Sequence, residues 1–153
     1  MPVKPIPEGY HAVTPYLIID GAAQAIDFYK QAFGATELFR MADPSGKRIG
    51  HAELQIGDSH IMLADENASM GYQGPKALGG TPVSLMLYVD DVDSVIPRAE
   101  AKGAKILQPI KDQFYGDRSG TLRDPFGHVW TVATHKKDVS PEEMMAHMGA
   151  SSS

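Results

Sequence analysis

Two stretches of the chain carry the same order of apolar and polar positions. Residues 14–34 read TPYLIIDGAAQAIDFYKQAFG, and residues 84–103 read SLMLYVDDVDSVIPRAEAKG. Each runs from an apolar strand through an acidic turn into a helix that ends at Gly-Ala. Asp20 and Asp90 lie 70 residues apart, and Gly34 and Gly103 lie 69 apart, so one supersecondary unit occurs twice. In the first helix Ala22, Ile26, Tyr29 and Phe33 recur at helical spacing and predict one buried face. Asp20 is expected to cap its start, and Gly34 suits a left-handed position after its end. In the second, Val92, Val95, Ile96 and Ala99 form the face, Asp90 or Asp91 is the expected cap and Gly103 the stop. Pro97 removes a backbone donor inside that helix and is expected to bend it.

Three strands are predicted after each helix, at 35–42, 48–56 and 59–65, then at 104–110, 115–123 and 128–134. Asp43-Pro44-Ser45-Gly46, Gly57-Asp58 and Asp124-Pro125-Phe126-Gly127 supply turns between them. Period-2 alternation separates the faces. Ala52, Leu54 and Ile56 oppose His51, Glu53 and Gln55; Ile61 and Leu63 oppose His60 and Met62; Leu85, Leu87 and Val89 oppose Ser84, Met86 and Tyr88. The first-named sets face the helices. The others, polar, aromatic and methionine-bearing, read as the wall of a cleft. Pro15 on the first strand favours a sheet edge. The glycine-rich stretch at 65–81 reads as a flexible linker or a lid. Ser140-Pro141-Glu142-Glu143 is a capping box opening a last helix, with Met144, Met145 and Met148 as its apolar stripe against the body or a second subunit, and GASSS is expected to be disordered. The expected divisions are a tail at 1–11, module one at 12–66, linker or lid at 67–81, module two at 82–136, and a C-terminal helix and tail at 137–153.

Composition narrows the function classes. The 153 residues are 42% hydrophobic and 22% charged, ordinary for a globular protein with a true core. No apolar run reaches the ~20 residues of a membrane helix, and MPVKPIPEGYH has no signal-peptide pattern, so a cytoplasmic location is expected. With no Cys there is no disulfide, thiolate nucleophile or Cys-held metal centre. A net charge of −5 without a basic run argues against nucleic acid as partner. P-loop, dinucleotide, H-E-x-x-H and nucleophile-elbow patterns are missing, and Asp90, Asp91 and Asp93 lack the spacing of a calcium loop.

Paired β-α-β-β-β modules with AIDFYKQAFGA after the first strand and RDPFGHVW before the last resemble the vicinal-oxygen-chelate superfamily. This is the glyoxalase, bleomycin-resistance and ring-cleaving dioxygenase group. VKPIPEGYHAVTPYL, GHAEL, GDSHIMLADE and GDRSGTLRDPFGHVW are similar to its PhnB-like branch. The resemblance implies an α+β protein, a glyoxalase-like domain over 12–136 whose two modules form a curved mixed sheet around a cleft, and a homodimer. It also implies four metal-ligand positions, which fall on Thr14, Met62, Ser84 and Thr131. None of these is His, Asp, Glu or Gln, and hydroxyls and a thioether are poor ligands for zinc, nickel, manganese or iron(II). The usual metal site is therefore expected to be missing.

Three readings follow. The first is a metal-free binder of a small molecule, its pocket lined by Thr14, Tyr16, His51, Glu53 and Met62 from one module. Met86, Tyr115, Arg118 and Thr131 would line it from the other. The second is a metal-dependent lyase, isomerase or dioxygenase with His51 and Glu53 as substitute ligands, and the third a metal-free acid–base enzyme using the same pair. Against these stands a polar pair that only fills the cleft. Arg118 either grips an anionic or planar ligand beside Phe114 and Tyr115, or is tied to Asp117, Asp124 or another acid. Trp130 reads as core, His60 and His128 as turn residues, and His11, His135 and His147 as solvent-facing.

Overall fold

The computed structural model describes residues 2–151; Ser152 and Ser153, part of the expected disordered tail, lie outside the described residues. The chain divides into two compact units, Met1–Pro82 with Pro125–His128, and Val83–Asp124 with Val129–Ser153.

The first unit contains β1 (Tyr16–Ile19), α1 (Ala22–Phe33), β2 (Thr36–Ala42), β3 (Ile49–Ile56) and β4 (Ser59–Asp65). Its sheet has the order β1-β4-β3-β2, with β1 parallel to β4 and the other pairs antiparallel. Pro15 thus precedes an edge strand, where its missing N–H costs no ladder bond, while its carbonyl accepts from Met62 N at 2.9 Å. Ile26, Tyr29 and Phe33 of α1 are buried together with Ile19, Leu54, Ile61 and Leu63 of the strands. Each such side chain removed from water stabilises the unit by roughly 1.5–3 kcal/mol. The face expected from helical spacing is the face that is buried.

The helix cap differs from expectation. Gly21, at φ +98°, turns the chain so that Asp20 stays exposed and the first free N–H groups of α1 point at the end of β4. Asp65, the register partner of Ile19, accepts there from Gly21 N (3.0 Å) and Ala22 N (2.9 Å) through Oδ1, and from Ile49 N (2.7 Å) through Oδ2. One carboxylate from a distant strand does the work expected of the neighbouring one.

The stretch after β4 is folded. It holds a 3-10 turn (Ala68–Met70), a backbone bridge between Asn67 and Tyr72, and the short helix α2 (Pro75–Leu78). Glu66 Oε2 accepts from Gly74 N at 2.9 Å, and Gly74 approaches the Ile18 carbonyl too closely for a side chain. Residues 125–128 complete this unit: Phe126 packs edge-on to Phe28 with ring centroids 6.3 Å apart, and His128 Nε2 donates to the Ile18 carbonyl at 3.0 Å. His128 is therefore an anchoring residue, more than a turn histidine.

The second unit repeats the plan with β5 (Ser84–Tyr88), α3 (Val92–Ala101), β6 (Lys105–Asp112), β7 (Asp117–Arg123) and β8 (Val129–His135), in the order β5-β8-β7-β6. Asp91 caps α3 by accepting from Asp93 N at 3.1 Å, and Val92, Val95, Ile96 and Ala99 are buried. The helix runs through Pro97. Trp130 is core, its Nε1 donating to Asp124 Oδ2 at 2.9 Å. Helix α4 (Pro141–Ser151) follows, opened as expected by Ser140, whose Oγ accepts from Glu143 N at 3.2 Å. Gly149–Ser151 of the expected disordered tail belong to this helix. Among the described residues no helix is long and apolar enough to cross a membrane.

Candidate functional site

Each sheet buries one face under its helix and leaves the other uncovered by that helix. In the first unit, strand register places Tyr16, Met62, Glu53 and Phe39 in one row across all four strands of the open face. His51 stands one pleat away on β3, paired with Met41. The alternation of β3 therefore delivers what it promised: two chemically active side chains on a face that elsewhere presents methionine and aromatic rings.

These side chains form a continuous hydrogen-bonded chain. The Tyr16 hydroxyl meets His51 Nδ1 at 2.8 Å, His51 Nε2 meets Glu53 Oε2 at 3.0 Å, and the Tyr10 hydroxyl donates to Glu53 Oε1. A neutral imidazole satisfies both contacts when Tyr16 donates to Nδ1 and Nε2–H donates to the carboxylate. Burial, with the Tyr72 phenol as a smaller contribution, pushes the Tyr16 phenol up, which keeps it a donor. Tyr10 comes from the segment expected to be a tail. A turn at Pro7–Tyr10, closed by Tyr10 N to the Pro7 carbonyl (3.0 Å) with Gly9 at φ +84°, lays its ring on His60, centroids 4.1 Å apart. His60 thus belongs to the face. The Pro-Glu-Gly run before Tyr10 is the sequence signal for this turn.

Beside Tyr16 the same unit holds a cavity of about 350 Å³. Met41, Asp43, Met70 and Tyr72 are among its walls. Thr14 stands before β1, its hydroxyl donating to the His11 carbonyl at 3.4 Å, outside the hydrogen-bonded chain.

The remaining expected residues lie in the second unit. Met86, Thr131 and Thr121 form a row on its open face, the two threonine hydroxyls 2.9 Å apart. Arg118 is held by acids: Nε and Nη2 donate to Asp93 at 2.9 and 3.0 Å, and Nη1 to Asp112 at 3.3 Å. The ion-pair alternative is the one observed, with partners other than Asp117 and Asp124. Tyr115 packs edge-on against Phe114, which stacks on His147 of α4 at 4.1 Å. His147 is exposed, as expected, and this stacking engages its ring. His135 is exposed too, and its Nδ1 meets Asp117 Oδ1 and its Nε2 meets Asp138 Oδ1, both at 2.7 Å. Asp117, only 4% exposed, also accepts from the Tyr88 hydroxyl at 3.0 Å. That hydrogen bond, then burial, pushes the Tyr88 phenol up.

The divalent ion of metalloenzymes with this module plan does not fit these residues. Of the four positions, Thr14, Met62 and Ser84 offer hydroxyls or a thioether, and the Thr131 hydroxyl already bonds Thr121. Among the described residues no three His, Asp or Glu side chains are grouped to hold an ion. His51 has both nitrogens engaged, and Glu53 both oxygens.

Twice-repeated β-α-β-β-β units with one polar open face define the class. The chain belongs to the Glyoxalase/Bleomycin resistance protein/Dioxygenase superfamily, whose family model matches residues 10–132. An uncharacterized protein of Mycobacterium bovis, Mb0911c, is 43% identical over 142 residues, covering 91% of this chain and 93% of that protein. The crystal structure of the Arabidopsis thaliana At5g48480 product superposes with a TM-score of 0.66 at 24% identity, covering 81% of this chain and 98% of that one. A PhnB protein from Bacillus cereus gives a TM-score of 0.64 at 19% identity, with coverage of 81% and 99%.

Proposed function

We propose that the protein binds a small organic molecule, without a metal, at the open face of its first sheet. The observation that supports this reading is the Tyr10–Glu53–His51–Tyr16 chain of hydrogen bonds, set beside the half-buried Met62 and the exposed Phe39. Methionine and aromatic walls adapt to an apolar body, and a few convergent polar groups orient it. With every polar atom of His51 and Glu53 partnered inside the protein, the pair favours recognition over substitute metal ligation. Glu53 selects a donor or cationic group that competes for its carboxylate.

The test is a ligand screen by calorimetry on metal-free protein, with product analysis. Saturable binding without product is expected, weakened about tenfold or more in Glu53→Gln because a charged hydrogen bond is lost. Turnover in metal-free buffer overturns the reading in favour of acid–base catalysis by the same pair. Metal stoichiometric with the chain, lost in His51→Ala, overturns it in favour of a metal-dependent lyase, isomerase or dioxygenase.

The proposal includes a homodimer, supported by the apolar Met86 and Tyr88, which remain 51% and 58% exposed on the second sheet. Light scattering that returns only the monomer mass at every concentration would remove that part.

A further inference from the structure

The cavity beside Tyr16 has a chemistry of its own. Its floor and walls come from five places in the first unit: Tyr16 on β1, Met41 and Asp43 at the end of β2, Ile49 opening β3, Asp65 and Glu66 closing β4, and the turn carrying Met70 and Tyr72. The volume of about 350 Å³ falls at the small end of ligand sites. Every ionisable side chain in the lining is a carboxylic acid or a phenol; there is no Lys, Arg or His.

The acids are held in place. Ser45 Oγ and N both donate to Asp43 Oδ1, at 2.5 and 3.0 Å, and hold that carboxyl below its ordinary range. Asp65 is fixed by three backbone N–H groups and Glu66 by the Gly74 N–H, hydrogen bonds that orient both carboxyl groups. Arg48, which is not part of the lining, donates to the Glu66 backbone carbonyl at 3.4 Å. The Tyr72 phenol lies close enough to Tyr16 to add to the burial that disfavours Tyr16 ionisation. Two tyrosines, two methionines and three carboxyl-bearing residues therefore line one small space.

We infer that this cavity is a subsite for an organic cation, a primary to quaternary ammonium on a compact apolar body. The inference rests on the small-molecule reading above and names its ligand class. A neutral apolar molecule gains nothing from the carboxylates, and an anion is repelled by three of them. A cation gains from both, through the ring faces and through the charges. The methionines accommodate the substituents on nitrogen, where an inorganic ion would need oxygen ligands all round. Tyr16 connects the two regions, since its hydroxyl bonds His51 and its ring bounds the cavity. A bound molecule can thus place its ammonium in the cavity and its remaining polar group against Glu53.

The experiment titrates the full-length protein with benzyltrimethylammonium, benzyl alcohol and benzoate, by calorimetry and by NMR of the methionine methyl groups. Binding of the cation is expected, with shifts at Met41 and Met70, and neither isostere should compete. Tyr72→Leu should weaken it about tenfold, the loss of one desolvated cation–π contact. Glu66→Gln should weaken it less and flatten its salt dependence. No saturation by about 10 mM, where binding is worth under roughly 3 kcal/mol, overturns the inference. So does equal affinity for benzyl alcohol, or displacement of the cation by calcium at matched concentration. If the cation responds to Glu53→Gln and ignores Tyr72→Leu, the cavity assignment fails while the open-face reading stands. If other molecules saturate the open face and the cation does not bind, the same separation holds.

Discussion

His135 sits between two carboxylates, Asp117 and Asp138, each 2.7 Å from one ring nitrogen. A neutral imidazole carries one N–H and would turn a lone pair toward the second carboxylate, so this geometry wants the imidazolium. The Asp138 bond first, then the Asp117 bond, raise the His135 pKa, with Lys136 beside it and Tyr88 sharing Asp117 as the other titratable neighbours. The sign of the stability effect follows. A group whose folded pKa is raised contributes fully below its unfolded value and loses that contribution as pH rises through the folded one. The melting temperature of the wild type should therefore fall relative to His135→Gln as pH climbs past the ordinary histidine range. A gap that stays constant with pH would show that His135 is neutral in the fold. None of this was legible in the sequence, because only strand register pairs Asp117 with His135, and Asp138 read as part of the tail. Tyr10 was missed for the same kind of reason: a residue that folds back over a sheet carries no periodic signature.

At the scale of the element, local pattern served well where one face is buried and poorly where a partner is remote. The apolar stripes of α1 and α3 and the alternation of β3 and β4 each state which side meets the core, and the structure agrees. The capping of α1 does not follow from its own sequence, because Gly21 breaks the expected geometry and Asp65 arrives from β4. Substituting Asp65 should accordingly cost far more than substituting Asp20. Asp65→Ala leaves three backbone donors in a part-buried junction without their acceptor, and a loss of about 2–3 kcal/mol is expected in urea unfolding. Asp20→Ala should change stability by less than ~0.5 kcal/mol, as for an ordinary exposed site. Equal effects would return the cap to Asp20. Gly116 makes a similar point: at φ +103° it bends the chain under the Lys137 carbonyl, leaving no room for a Cβ.

For the molecule as a whole, the repeat at the two glycines foretold the twofold plan, down to an identical strand order in the two sheets. It did not foretell that the division between units departs from the division between repeats. Residues 125–128 lie deep in the second repeat yet complete the first unit, where Phe126 closes against Phe28 and His128 holds Ile18. Phe126→Ala should remove about 3 kcal/mol or more, the cost of emptying a buried aromatic site. Its signature should be faster amide hydrogen exchange in α1, on the first unit, although the substitution is encoded in the second repeat. Faster exchange confined to α3 would contradict that assignment.

The excursion of residues 125–128 also bears on how such a protein can be inherited and rebuilt. A duplicated gene begins as two interchangeable copies, and either may be deleted, swapped or grafted at the join. Once four residues of one copy are needed to finish the other, the join no longer marks a place where the protein can be cut. A chimera that takes its first 82 residues from this chain and the rest from an unrelated partner would receive a first unit with an open wound at Phe28, whatever the quality of its second half. Recombination that respects this protein must carry both repeats together, so the smallest heritable piece is the pair.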